Sequence, residues 1–203
     1  MKRSLAVLPS LLLLFGCKEM QPALAEFGYT HSLGKFEVER VSIVPTMPTP
    51  GDGYDGGGWL KVELSSPRQL RKEYPTYWVG AASDYCPLED DHELIALGVF
   101  DKQVGFWDIE VDPIEQSPDG LYRYQIYVVR AYPPPGKTHD DYGTPRTGPY
   151  AQREYDLYED GNDVCLQVFG GDHYHVFARS SVITVPYETI MAAKAQSEAK
   201  ATP

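Results

Sequence analysis

Residues 121–132 alternate between two sets of side chains at a period of two, the pattern of a β-strand. One face of this strand would carry Tyr122, Tyr124, Ile126 and Val128. A turn signal, Ser117-Pro118-Asp119-Gly120, comes directly before it. Short apolar segments bounded by glycine and proline recur along the chain, and helical periodicity is nearly absent. This pattern predicts an all-β fold, most simply a β-sandwich.

The remaining strands are expected on either side of this segment. They are predicted at residues 36–44, 59–64, 94–100, 104–111, 164–169, 174–178 and 181–185, with an aromatic segment at 74–82. The spacing of 94–100 and 104–111 indicates a hairpin, and Gly170-Gly171-Asp172 predicts a turn. The last strand, Ser-Ser-Val-Ile-Thr-Val-Pro, is similar to that of immunoglobulin-like or fibronectin-like domains. The resemblance implies a sandwich of that type.

The first residues have the pattern of a secretory signal. Met1-Lys2-Arg3 is a positive start, and the apolar run that follows is about eleven residues, too short for a bilayer core that needs roughly 20. Leu14-Phe15-Gly16-Cys17 resembles the bacterial lipobox. The resemblance implies cleavage before Cys17, a lipid on Cys17, and attachment to the outer membrane facing the periplasm, with the inner membrane as the alternative. Ala23-Leu24-Ala25 is a competing site for ordinary secretion.

The charge balance excludes one class of partner. Residues 1–16 contain Lys2 and Arg3 and no acidic residue, so their removal changes the formal net charge from −11 to −13. Such a surface repels nucleic acid. It favours a basic protein partner or cations, although acidity that only maintains solubility explains the composition equally well.

The cysteine count agrees with the lipobox. Of the three cysteines, Cys17 would carry the lipid, and Cys86 and Cys165 would remain as an even pair in an oxidising compartment. We therefore predict a disulfide between Cys86 and Cys165. The predicted organisation is a signal peptide (1–16), a lipidated tether (17–33), a β-sandwich domain (34–187), and a short helix with a tail (188–203).

One segment does not fit a compact sandwich. Pro133 to Asp163 shows no strand or helix periodicity, whereas loops longer than about 12–15 residues are uncommon and usually functional or disordered. Tyrosine and arginine, which are enriched at binding hot spots, recur in it. We predict that a protein partner contacts Tyr142, Arg146, Tyr150, Arg153, Tyr155 and Tyr158. The alternatives are that the tyrosines pack the loop onto the edge of the sandwich, or that the segment is disordered.

Most catalytic templates are absent from the sequence, and an S-x-x-K match, Ser197 to Lys200, lies in the polar tail. The sequence has no G-x-S-x-G elbow, Walker loop or dinucleotide fingerprint, so we predict neither an enzyme nor a cofactor. His173 and His175 would lie on one face of a strand and could bind zinc or copper with a third ligand. Exposed histidines beside a turn are the alternative interpretation, and they leave these two as weak metal candidates.

Three classes of function remain. The lipobox, the disulfide, the acidic surface and the Tyr/Arg loop resemble the periplasmic immunity lipoproteins that neutralise toxins of type VI secretion systems. This resemblance implies a protein-binding module that occludes a basic toxin. The alternatives are a structural or assembly lipoprotein of the envelope, and a metal-binding lipoprotein.

Overall fold

The computed structural model describes residues 31–46, 58–73, 78–88, 94, 96–101, 104–105, 116–133, 136, 138, 154–171 and 176–201. Within these ranges the chain forms twelve strands and two helices. The strands are β1 (His31–Gly34), β2 (Glu37–Val44), β3 (Trp59–Ser66), β4 (Trp78–Tyr85), β5 (Ala96–Asp101), β6 (Val104–Gly105), β7 (Tyr122–Val129), β8 (Ala131–Tyr132), β9 (Tyr155–Asp156), β10 (Val164–Gly171), β11 (Val176–Ser180) and β12 (Ile183–Val185). The helices are α1 (Leu70–Glu73) and α2 (Tyr187–Ala201).

Sheet I consists of β4, β10, β11, β12 and β1. β4 runs antiparallel to β10 over its whole length, from Tyr85 opposite Val164 to Trp78 opposite Gly171. β11 and β12 share the other edge of β10. β12 pairs with the first residues of β10, Val164 to Leu166, and β11 pairs with its last residues, Phe169 to Gly171. β1 lies parallel to β11. β10, which carries Cys165, is therefore the central strand of this sheet.

Sheet II has the order β2-β3-β7-β5-β6, and every neighbouring pair is antiparallel. β3 and β7 are paired from Trp59 opposite Val129 to Ser66 opposite Tyr122. The predicted hairpin is present, with Phe100 of β5 opposite Gly105 of β6.

Residue alternation determines which faces of the two sheets are buried. Val164, Leu166 and Val168 point to one side of β10 and are fully buried. The buried alternate residues of β3 and β7 are Leu60, Val62, Leu64, Tyr124, Ile126 and Val128. Both sheets contribute to one continuous hydrophobic cluster. The expectation of an all-β fold with a C-terminal helix is confirmed.

At one end of sheet II the opposite face is buried as well. Trp59, Tyr127 and Val129 lie outside the main cluster, yet each is buried. The Tyr127 hydroxyl donates a hydrogen bond to Gln125 Oε1 at 2.8 Å. Burial raises the pKa of Tyr127 to about 12, and the carboxylate of Glu63 adds to this effect.

The two sheets are joined at both sides. On one side the Leu94 backbone N–H donates to the Ser83 carbonyl at 3.3 Å, and the Ser83 hydroxyl donates to the Leu94 carbonyl at 2.8 Å. These bonds connect β4 of sheet I to the residues that precede β5 of sheet II. On the other side α2 packs against β2 and buries Ile190 and Ala193.

Three boundaries differ from those expected. The first strand of the described residues begins at His31, inside the predicted tether of 17–33, because Leu33 is fully buried in the core and β1 pairs with β11. Gly170 and Gly171 continue β10 rather than forming a turn, because both are paired with β4. The C-terminal helix begins at Tyr187, one residue before the expected start at 188. No helix among the described residues has the length and apolar character to cross a membrane.

Candidate functional site

The two ends of the predicted long loop meet in a short ribbon. β8 and β9 pair with Ala131 opposite Asp156 and Tyr132 opposite Tyr155. The side chains of Tyr132 and Tyr155 belong to the hydrophobic core, and the Tyr155 hydroxyl donates to the Val129 carbonyl at 3.2 Å. We call residues 131–133 and 154–163 the loop stem. The core fixes both ends of the segment between them.

The turn that follows β9 is held by its own carboxylates. Asp156 Oδ1 accepts a hydrogen bond from the Tyr158 backbone N–H at 2.9 Å, and Asp160 Oδ2 accepts one from the Asp156 N–H at 3.1 Å. Short acidic side chains commonly stabilise turns in this way. Leu157, at the centre of the turn, is fully buried, and its N–H donates to the Arg130 carbonyl at 2.9 Å.

Arg130 connects this turn to the end of β7. Its Nη2 lies 3.1 Å from Asp156 Oδ2, and its guanidinium carbon lies 4.3 Å from the centre of the Tyr158 ring. Lys194 of α2 also approaches that ring, with Nζ 4.8 Å from its centre. Burial raises the pKa of Tyr158, and the charge of Arg130 opposes this effect. Two cations, one from the segment between β7 and β8 and one from the helix, therefore lie close to this ring.

A second tyrosine holds the turn from sheet I. The Tyr85 hydroxyl at the end of β4 donates to Asp160 Oδ2 at 2.6 Å. Burial, and then the hydrogen bond to this carboxylate, raise the pKa of Tyr85 well above its ordinary value. Tyr85 therefore stays a neutral donor across the physiological range.

An open cleft of about 460 Å³ lies at the stem. It is lined by Arg130, Ala131, Tyr132, Pro133, Gly136, Glu154, Tyr155, Asp156, Glu159 and Asp160. Buried tyrosine rings and backbone form part of its wall, and four carboxylates outnumber one guanidinium. Its electrostatic character is therefore negative, as the overall composition is.

The predicted disulfide is confirmed beside the stem. Cys86 and Cys165 are bonded, with Cα atoms 5.1 Å apart. The Cys86 backbone N–H donates to the Asp163 carbonyl at 3.0 Å. Asp163 Oδ1 accepts a hydrogen bond from the Tyr187 N–H at 2.8 Å.

Two of the six predicted partner-contacting residues fall on described positions. Tyr155 and Tyr158 are 5% and 9% exposed, and both pack in the core. For these two residues the structure agrees with the alternative that the loop tyrosines pack against the domain. The other four predicted contact residues, the lipidation site and the two histidines lie outside the described residues: Tyr142, Arg146, Tyr150, Arg153, Cys17, His173 and His175.

No protein-family model, curated protein or solved structure matches the chain. Function therefore has to be inferred from the residues of the stem and their surroundings. Among the described residues, no three His, Cys, Asp or Glu side chains form a group that could hold a metal ion.

Sequence reasoning missed several residues that build the stem. Arg130 lies inside an apolar run, and Tyr85 lies far from the stem tyrosines in sequence. One local signal was present in the sequence. Two aspartates four residues apart, with apolar residues between them, indicate an acidic turn with an apolar centre; they are Asp156 and Asp160, on either side of Leu157 and Tyr158. That signal would have separated a folded stem from the loop it closes.

Proposed function

We propose that this protein is a periplasm-facing lipoprotein, anchored through Cys17, that binds and occludes a protein partner such as a basic secreted toxin. The observation that carries the proposal is the immobilised loop stem. Tyr132 and Tyr155 are both held in the core, so the sequence between them starts and ends at fixed points. Tyr142, Arg146 and Tyr150 lie within that interval.

A fixed stem favours binding for an energetic reason. Ordering a side chain at an interface costs about 0.5–1.5 kcal/mol, and fixing backbone adds to this cost. A segment whose two ends are already ordered has part of this cost removed before the partner arrives. Tyrosine and arginine then provide large contact areas and charged hydrogen bonds.

The charge of the cleft supports a basic partner. Its four carboxylates are Glu154, Asp156, Glu159 and Asp160, against the single guanidinium of Arg130. An acidic surface accelerates the encounter with a basic protein, and this acceleration decreases as salt increases.

We further propose that sheets I and II form an immunoglobulin-like or fibronectin-like sandwich. The support is that both five-stranded sheets bury their inner faces in one hydrophobic cluster. A loop carried at the end of such a sandwich is a common arrangement for a binding surface.

The binding test replaces residues 139–153 with a Gly/Ser linker of equal length in the full chain. This replacement leaves every residue of the stem unchanged. Crosslinked complexes from the envelope of the native host are compared for the wild type, the linker variant and Val38→Ala, an exposed β2 residue that serves as the control. We expect one partner to be captured by the wild type and Val38→Ala and lost with the linker variant. The captured partner is then purified and its toxicity is measured with and without this protein.

Three results separate the alternatives. Retention of the partner by the linker variant would contradict loop-mediated binding. Recovery of peptidoglycan or porins with every variant would support an envelope assembly role. Labelling with radioactive palmitate tests the anchor independently, because Cys17→Ser should abolish the label and an unlabelled wild type would refute lipidation.

A further inference from the structure

Asp163 joins the disulfide to the start of the C-terminal helix. Its carbonyl accepts the N–H of Cys86 at 3.0 Å, and its carboxylate accepts the N–H of Tyr187 at 2.8 Å. Asp163 is two residues from Cys165, the other half of the disulfide. The covalent bond therefore lies close to Asp163, whose carbonyl and carboxylate are the two acceptors.

The first turn of α2 depends on this distant acceptor. The first N–H groups of a helix have no partner inside the helix, and a nearby side chain usually satisfies one of them. Here Asp163, 24 residues earlier, accepts the hydrogen bond of the Tyr187 N–H. The Pro186 carbonyl accepts the N–H groups of Thr189 and Ile190. Displacement of Asp163 would leave the beginning of the helix without this acceptor.

The helix in turn holds the stem. The Tyr187 hydroxyl donates to the Tyr158 carbonyl at 2.7 Å. Lys194, two turns later, approaches the Tyr158 ring. Tyr85, adjacent to Cys86, donates to Asp160. Tyr85, next to Cys86, therefore contacts the stem directly. Asp163, at the end of the stem and two residues before Cys165, is connected to Tyr158 through Tyr187 of the helix.

The sheets have connections that do not need the disulfide. β4 and β10 are hydrogen-bonded along eight paired positions, and their inner residues Val79, Leu166 and Val168 are fully buried. β3 pairs with β2 and β7, and β7 pairs with β3 and β5, so the ladders of these two strands lie within sheet II. Loss of the disulfide therefore affects the stem and the helix start before it affects the core of the sheets.

We propose that the Cys86–Cys165 disulfide is a redox-sensitive lock on the loop stem. The reductant is a dithiol. Its thiolate attacks the sulfur of Cys86, which is partly exposed whereas Cys165 is buried, and the Cys165 thiolate leaves and takes up a proton. The second thiol of the reductant resolves the mixed disulfide and releases Cys86 as a thiol. The protein gains two electrons and two protons, and the reductant becomes a disulfide.

Opening this lock frees the stem and the first turn of α2 while sheet II stays folded. The proposal does not depend on lipidation or on a partner, because its signature is the exposure of backbone amides in the stem.

Hydrogen exchange followed by mass spectrometry on the full chain tests the lock. Oxidised protein is compared with protein reduced by dithiothreitol and with the double variant Cys86→Ser/Cys165→Ser. We expect peptides covering 154–163 and 187–193 to exchange about tenfold faster or more in the reduced protein and in the variant. Peptides covering β3 and β7 should change much less, and re-oxidation should restore the protection of the stem.

A second variant tests the route through the helix. Asp163→Ala in the oxidised protein removes the acceptor of the Tyr187 N–H and should accelerate exchange at 187–193, whereas Asp163→Asn should largely preserve protection. Unchanged protection of the stem after reduction would overturn the proposal. Equal acceleration in β3, β7 and the stem would also overturn it, because the bond would then hold the whole domain rather than the stem.

Discussion

Gly80 of β4 lies beneath the ring of Phe169, its paired residue on β10. A Cβ atom at Gly80 would lie 2.7 Å from Phe169 Cζ and 3.1 and 3.3 Å from the two neighbouring ring carbons. Carbon atoms in contact prefer about 3.5–4.0 Å, so Gly80→Ala has to displace the ring. The glycine therefore provides the space that the aromatic side chain occupies.

Whether Gly80→Ala raises or lowers the free energy of unfolding depends on Phe169. A Gly→Ala change that introduces no strain stabilises a protein by about 0.4–1 kcal/mol, because the unfolded chain loses freedom. Overpacking costs about 1–3 kcal/mol, and a ring forced off its rotamer costs about 0.5–1.5 kcal/mol. We therefore expect Gly80→Ala to lower the free energy of unfolding of the wild type by about 1–2 kcal/mol. In a Phe169→Ala background it should raise that free energy by about 0.4–1 kcal/mol.

Urea denaturation of the four proteins in this cycle, followed by tryptophan fluorescence, measures the difference. The coupling between Gly80 and Phe169 should reach about 1.5–3 kcal/mol, which is large for a pair of neighbours. Far-UV circular dichroism checks that all four proteins keep the same secondary structure. If Gly80→Ala stabilises the wild type as much as it stabilises Phe169→Ala, the steric reasoning is refuted.

Other measurements address the buried tyrosines. Burial raises the pKa of Tyr127 to about 12 in the folded protein, whereas it is about 10 in the unfolded chain. The contribution of the neutral hydroxyl to the free energy of unfolding is therefore intact below pH 10 and falls by roughly 2–3 kcal/mol as the pH rises to 12. Between pH 9 and 11, urea denaturation should show a smaller loss of this free energy for Tyr127→Phe than for the wild type. A double-mutant cycle of Arg130→Met and Tyr158→Leu should give a coupling of about 0.5–1 kcal/mol, and a value indistinguishable from zero would contradict the cation–ring contact. Tyr85→Phe should cost about 0.5–1.5 kcal/mol through the lost bond to the exposed carboxylate of Asp160, and no change in urea midpoint would contradict that role.

The strands with a strong local pattern could be predicted from the sequence. β7 follows from the alternation of Tyr122 to Val129, and the disulfide follows from the even pair Cys86 and Cys165. The strand is predicted from a pattern within a short stretch of sequence, and the disulfide is predicted from the number of cysteines. The predicted hairpin of β5 and β6 is present for the same reason, because its two strands are separated by only two residues.

The loop stem could not be predicted in this way, because its strands are only two residues long. A pair of residues such as Tyr155-Asp156 has no measurable period. Its burial depends on pairing with β8, on Tyr85 from β4 and on Tyr187 from α2, none of which is local in sequence. The abundance of glycine, proline and aspartate around it is typical of a loop and concealed the buried side chains.

The stem also determines which positions of the sequence tolerate substitution without loss of stability. Closing an open segment costs free energy that grows slowly with length, at roughly 0.6 kcal/mol for each doubling. Changes between residues 139 and 153 should therefore affect stability little, provided that Tyr132 and Tyr155 remain in the core. Changes to the stem itself remove buried aromatic rings, at about 3–5 kcal/mol for each large truncation. A binding surface placed in that interval can acquire a new partner without loss of the fold, whereas one built on Tyr155 or Tyr158 could not.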